Sequence, residues 1–351
     1  MSWCDKVAGH GSNACLFHDI MDLMQGRGAW SQYPVLPYSK KLAAAQGQPL
    51  SSSLRCETHN QCCPTNIAVD FDVSGLPCPD MSQAGKRRRR AGPTSADLDM
   101  GMLEDTHPDH DFYQLFSEPA DVGFFGTARY RTWVIGSHQR YSTCLRDPFE
   151  LQDLLTTSFR KHVCAKVSDY LVASAAEIQM EAGMVASRRG LSLRPGVTNL
   201  AYLLSERELS TKQGLDFRYV ERYGALPSSN PELVYYLGDT AEYCTWSAVS
   251  SAIPTYRRNK HAKYWLPSMQ RWMTAKERLV SMGFPCTKEL AESMSVPALG
   301  ATDVARAGDL LGNAMHFTTC GIMQLIALSC FGPPEGDGVA LLPGAGVRDL
   351  L

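Results

Sequence analysis

Residues 75–90 read GLPCPDMSQAGKRRRR, and the fold is read outward from them. Just upstream, IAVDFDV at 67–73 mixes apolar and acidic side chains with the alternation of a strand. Gly75, Pro77 and Pro79 stop that strand, so Cys78 stands in the turn at its carboxyl end. Open α/β sheets place their ligands at that end of their strands. A basic run, Lys86 to Arg90, follows between Gly85 and Gly92. Basic neighbours and backbone dipoles favour thiolate, so Cys78 is a candidate nucleophile. The other reading is a buried structural cysteine between turn prolines.

Around this stretch, strand patterns are expected at 15–17, 100–103 and 132–136, and helical ones at 151–163, 169–186, 274–282 and 307–330. Strands alternating with helices at both ends of the chain predict an α/β class, a doubly wound and mostly parallel sheet. Residues 137–265 are mixed in pattern and read as an inserted, smaller α+β domain. The expected division is 1–136 and 266–330 for the sheet domain, 137–265 for the insert, and 331–351 for a disordered tail. The chain has 351 residues, 44% hydrophobic and 20% charged, with net charge −2. That composition excludes disorder throughout, and it leaves nucleic-acid affinity to local clusters of cations. The start lacks a signal-peptide pattern, and the apolar run near 320–330 is too short to span a bilayer. Twelve cysteines without secretory context are expected to be reduced thiols.

Three further segments carry candidate chemistry. ADVGFFGTARYRTWVIGSH at 120–138 leads a glycine-rich loop into Arg129 and Arg131, whose spacing in an extended segment puts both side chains on one side. RWMTAKERLVSMGFP at 271–285 has Thr274 with Glu277 three residues on, a capping box, and a helix ending at Gly283. GDLLGNAMHFTTCGIMQLIALSC at 308–330 sets Gly312, Asn313 and Ala314 where they would open an apolar helix. Each has a plain structural reading: a solvated edge, a well-capped helix, a core helix after a tight turn. A fourth group, Cys56, His59, Cys62 and Cys63, has spacing that places three ligands around zinc; no second Cys/His pair at finger spacing follows, and loop thiols without metal are expected.

In their order, the segments resemble the motifs of the cytosine-5 DNA methyltransferases over about residues 3–136 and 265–330. Pro77, Cys78, Ser82, Ala84 and Gly85 resemble the catalytic Pro-Cys motif, with Pro79 in place of its usual Gln. Glu104, Asp105 and Thr106 resemble Glu-Asn-Val, with Asp for Asn. Gly123, Arg129 and Arg131 match the Arg-x-Arg loop; Arg271, Thr274, Glu277, Gly283, Phe284 and Pro285 match the segment before the last motif; Gly312, Asn313 and Ala314 match that motif. Asp19 and Ile20 resemble a strand-end pair that touches the cofactor adenine.

The resemblance implies a Rossmann-like methyltransferase fold and methyl transfer from S-adenosylmethionine to carbon 5 of cytosine. It implies Cys78 as nucleophile, Glu104 and Arg129 or Arg131 on the base, and Asp19, Ile20, Pro77, Asn313 and Ala314 at the cofactor. Lys86, Arg87, Arg88 and Arg271 would meet DNA, with RNA not excluded. No membrane is expected, and the basic run implies a nuclear location in a eukaryote, a cytoplasmic one otherwise. Two departures set the alternative. The chain begins too late for the family's glycine-rich cofactor loop, and only 25 residues separate Cys78 from Glu104, fewer than usual. The alternative is therefore an inactive or partial homologue that keeps nucleic-acid binding, and poor methylation is expected. A zinc-containing interaction module, resting on Cys56–Cys63, is the reading from another class.

Overall fold

A computed structural model of the chain describes residues 51–57, 59–65, 100–257, 262–301 and 303–334. The strands expected at 15–17 and 67–73, on which the doubly wound parallel sheet rests, lie outside the described residues. The first described element is a hairpin of β1 (Ser53–Cys56) and β2 (Gln61–Pro64). Residues 100–103 are not the expected strand: α1 (Met100–Thr106) occupies them. MGMLED holds no β-branched residue, and its Met, Leu and Glu are good helix formers.

The expected strand at 132–136 is β4 (Arg131–His138), paired antiparallel along its whole length with β3 (His110–Ser117). The register runs from His110 opposite His138 to Ser117 opposite Arg131. An antiparallel pair of this kind is compatible with the edge of a mostly parallel sheet. Among the described residues all ladders are antiparallel, and the parallel contact is the isolated bridge Thr127–Ile253. Short β5 (Thr143–Cys144) leads into α2 (Pro148–His162), which Asp147 caps through Phe149 N, with Pro148 in the first turn and Arg160, Lys161 and His162 in the last.

The helix expected at 169–186 starts later, as α3 (Ala175–Arg189), because the Ser174–Glu177 capping box sets its origin. A second box, Ser205–Glu208, opens α4 (Glu206–Tyr223). Both end at left-handed glycines, Gly190 and Gly224. The strands β6 (Tyr235–Tyr236), β7 (Tyr264–Leu266) and β8 (Arg271–Trp272) form a small sheet, followed by α5 (Ala275–Ser281) and α6 (Lys288–Ser293). The apolar stretch at 307–330 is two helices, α7 (Val304–Asn313) and α8 (Phe317–Cys330). β9 (Phe331–Gly332) then closes on β5. No helix among the described residues is long and apolar enough to cross a membrane.

Three cores hold these elements. One joins Val167, Tyr170, Val234 and Tyr256 to Met273, Leu279 and Leu311, on both sides of the expected 265/266 boundary. A second lies almost wholly within 137–265, around Leu200, Leu215, Tyr235 and Trp265, with Trp272 the exception. The third packs Leu115 of β3 and Leu151 of α2 on Met323, Ile326 and Cys330 of α8.

Candidate functional site

The predicted residues Cys78, Pro77, Asp19, Ile20, Lys86, Arg87 and Arg88 lie outside the described residues. Three of the other motif segments, 120–138, 271–285 and 308–330, meet at Thr127 and Arg129, and the Glu104 motif does not join them. Its guanidinium is buried and turned inward: Nη1 donates to Tyr256 O at 3.1 Å, and Nη2 donates to Gly312 O at 3.3 Å and to Ala314 O. The Arg-x-Arg loop is thereby clamped to the α7–α8 connection. Thr127 Oγ1 donates to Ser281 O at 2.7 Å, fastening the same loop to the end of α5. Gly126 lies so close to residues 166–167 that a Cβ would sit 2.6 Å from Val167 N. Burial pulls the Arg129 pKa down to about 10, and the like charge of Arg131 adds to the effect.

The expectation that Arg129 and Arg131 present together is met only in part. Residues 128–130 are not strand, so strict alternation does not apply there. Arg131 opens β4, remains partly exposed, and donates to Tyr130 O at 2.7 Å. Of the two it is the arginine nearer to solvent.

Asn313 and Ala314 do not open a helix. Asn313 is the last residue of α7, Ala314 its C-cap, and α8 begins only after His316. The His316 ring caps α8: its Nδ1 accepts from Thr319 N at 3.2 Å, which leaves the proton on Nε2. Burial, with Arg129 nearby, lowers the His316 pKa to about 3, so the ring is neutral. Phe124 from the Arg-x-Arg loop meets that ring edge-on at 4.6 Å. Asn313 is exposed on the same connection, its Nδ2 donating to Asp309 O at 3.1 Å.

Arg271 corrects an expectation. The resemblance implies that it meets DNA, but it is buried and forms a two-pronged ion pair with buried Glu277, Nη1–Oε2 at 2.8 Å and Nη2–Oε1 at 2.7 Å. Glu277 Oε2 also accepts from Thr274 N at 2.8 Å, the capping box expected from sequence. A guanidinium so committed is a folding element, not a phosphate contact. The helix ends at Gly283 with φ +77, and a Cβ there would sit 2.6 Å from Thr318 Oγ1 of α8. Phe317 N donates to Met282 O at 2.8 Å, which completes the junction between α5 and α8.

Glu104 is exposed on α1, whose chain enters the β3–β4 hairpin at the His110–His138 end. Arg131 lies at the other end, about 23 Å along an eight-residue strand at roughly 3.3 Å per residue. Rings cluster where α1 enters, with His110–His138 centroids at 4.7 Å and His138–Tyr141 at 4.6 Å.

Three buried polar residues escaped the sequence reading. Glu181 accepts from Trp272 Nε1 at 3.0 Å and from Ala275 N at 2.8 Å, joining α3 to α5. Lys263 is buried with its ammonium 4.1 Å from the Trp272 ring centre, and burial lowers its pKa to about 7. His316 looks like any residue of an apolar run; the two threonines after it, able to meet a capping acceptor, were its only local signal. No protein-family model matches the chain, and no curated protein matches it.

Proposed function

We propose that this chain is a protein of the cytosine-5 DNA methyltransferase type, with a doubly wound sheet domain and Cys78 as its nucleophile. The observation that carries the reading is the Arg129 clamp. Segments about 180 residues apart, picked out in sequence as an ordered motif set, converge through it on one junction. Cys78 thiolate would add to carbon 6 of a cytosine taken out of the stack, which makes carbon 5 electron-rich. S-adenosylmethionine, when bound, would supply the methyl group that carbon 5 accepts and leave as its thioether, and loss of the carbon-5 proton to solvent would then break the bond to carbon 6 and release Cys78 thiolate; Asn313 and Ala314, with Asp19, Ile20 and Pro77, would hold the cofactor. Arg131 rather than Arg129 would meet the base or its phosphate, because Arg129 is spent on carbonyls. Glu104 would stabilise charge developing on the pyrimidine. Lys86, Arg87 and Arg88 would neutralise phosphates, and in a eukaryote the same basic run would serve as a nuclear-import signal.

One observation favours a second reading, a homologue that binds nucleic acid without methylating it. Glu104 rides on a surface helix that joins the hairpin at the end remote from Arg131. The test is to incubate the full chain with labelled S-adenosylmethionine and duplex DNA carrying 5-fluorocytosine. A labelled covalent complex lost in Cys78→Ser supports the first reading. DNA binding without adduct supports the second. Neither adduct nor salt-dependent DNA binding refutes both.

A further inference from the structure

We propose that Cys56, His59 and Cys63 form a binding site for a zinc-class divalent cation, independent of the methyl-transfer reading. The β1–β2 register places Cys56 opposite Gln61 and Leu54 opposite Cys63, so Cys56 and Cys63 are diagonal neighbours on one face of the hairpin. Cys62, opposite Arg55, takes the other face and is exposed, whereas Cys56 and Cys63 are buried. The turn brings His59 over that buried face. It is shaped by Asn60, at φ +53, whose Oδ1 accepts from Arg55 Nη2 at 2.8 Å.

The result is a compact donor set. His59 Nδ1 lies 3.4 Å from Cys56 Sγ and 3.3 Å from Cys63 Sγ, and all three donor atoms fall within 4.8 Å of one another. Zinc bound tetrahedrally, with Zn–S about 2.3 Å and Zn–N about 2.0 Å, needs S···N edges of about 3.5 Å. Both S···N separations therefore match ligand edges, and the two sulfurs need close by no more than about 1 Å to reach a tetrahedral S···S edge. Two thiols and an imidazole are a soft set that favours zinc over magnesium or calcium. Neither thiol is in a disulfide. Metal entry replaces the two thiol protons, which pass to solvent, while neutral imidazole donates through Nδ1 and keeps its proton on Nε2.

The hairpin itself supplies an independent reason. Its strands are four residues each, and two such strands are marginal in water without something to hold them. A cation that binds only the folded turn adds its binding free energy to that fold.

The test uses the full chain, reduced and stripped with a chelator, then titrated with Co²⁺ and back-titrated with Zn²⁺. The expected result is uptake of one equivalent with thiolate-to-cobalt absorption, displaced by zinc. Cys56→Ser and Cys63→Ser should lose stoichiometric uptake, and Cys62→Ser should retain it. His59→Cys should keep the metal and strengthen the thiolate absorption; that variant preserves a ligand set, so its result does not depend on a misfolded hairpin. No stoichiometric uptake by the reduced chain would overturn the proposal. So would equal loss in Cys62→Ser, or unchanged absorption in His59→Cys.

Discussion

Glu277→Gln is the substitution with the largest effect for the smallest change. The glutamine oxygen can still accept from Thr274 N, so the cap at the start of α5 survives. What is lost is the charge opposite Arg271, which is 6% exposed and whose Nη1 and Nη2 bond to the two oxygens of Glu277. Breaking one partner of a buried ion pair costs about 3–5 kcal/mol, because the remaining charge stays desolvated. For a unit of this size that corresponds to a fall in Tm of roughly 6–20 °C. The double variant Arg271→Met, Glu277→Gln removes the stranded charge and is expected to recover much of the loss. Urea unfolding of the four proteins closes the cycle. If Glu277→Gln lies within about 1 kcal/mol of wild type, the pair is not the buried lock described above. If Arg271→Met instead keeps its stability and lowers the salt slope of DNA binding, Arg271 meets phosphate after all.

The other predictions follow from named groups. His316 binds a proton less readily folded, about pH 3, than unfolded, at 6.5, so its contribution is fully present above 6.5 and is lost as pH falls toward 3. The slope attributable to it is about 1.4 kcal/mol per pH unit, and pH-dependent unfolding of His316→Gln should be flatter across that window. Arg129→Ala should cost roughly 3 kcal/mol and speed amide exchange in α8's first turn; unchanged exchange would show that the clamp does not hold the connection. Lys263→Met should be neutral or stabilising at pH 7, measured by urea unfolding, because it removes a buried amine whose charged form burial disfavours. Replacing Lys86, Arg87 and Arg88 with alanine should reduce the salt slope of DNA binding by up to about 2.7, and an unaltered slope would place the contact elsewhere.

How far the sequence could be read depended on the range of each signal. The Thr274–Glu277 box and the Gly283 stop are local, and both stand as expected. Strand β4 was legible from its apolar residues, but its antiparallel register with β3 depends on a partner that no local pattern names. At residues 100–103 unbranched side chains settle the matter for helix. The break between α7 and α8 has a longer-range cause. Residues 314–316 contain no glycine or proline; the connection is held by a capping histidine and by an arginine some 185 residues earlier. Arg271 and Glu277 both belong to the 271–285 motif, but nothing in their spacing of six says that they face each other across β8 and α5.

That division bears on where the chemistry must be sought. Arg129 reaches the main-chain carbonyls of residues 256, 312 and 314, so the clamp requires arginine at 129 but no particular side chain at the accepting positions. The Arg271–Glu277 pair and the Gly283 turn likewise have complete explanations in folding. A junction built from such residues serves both readings alike, since a methylating and a non-methylating chain would need it equally to fold. Loss of activity on changing Arg129, Arg271 or Glu277 would therefore not separate the two readings. Two residues do separate them, because they stand nearer to solvent: Arg131, partly exposed at the start of β4, and Asn313, exposed on the α7–α8 connection. With Cys78 supplying the adduct, Arg131→Met should weaken capture of the fluorinated DNA without lowering Tm, and Asn313→Ala should weaken S-adenosylmethionine binding alone. If both variants bind as wild type does, the junction is a fold element and the methyl-transfer reading loses its support among the described residues.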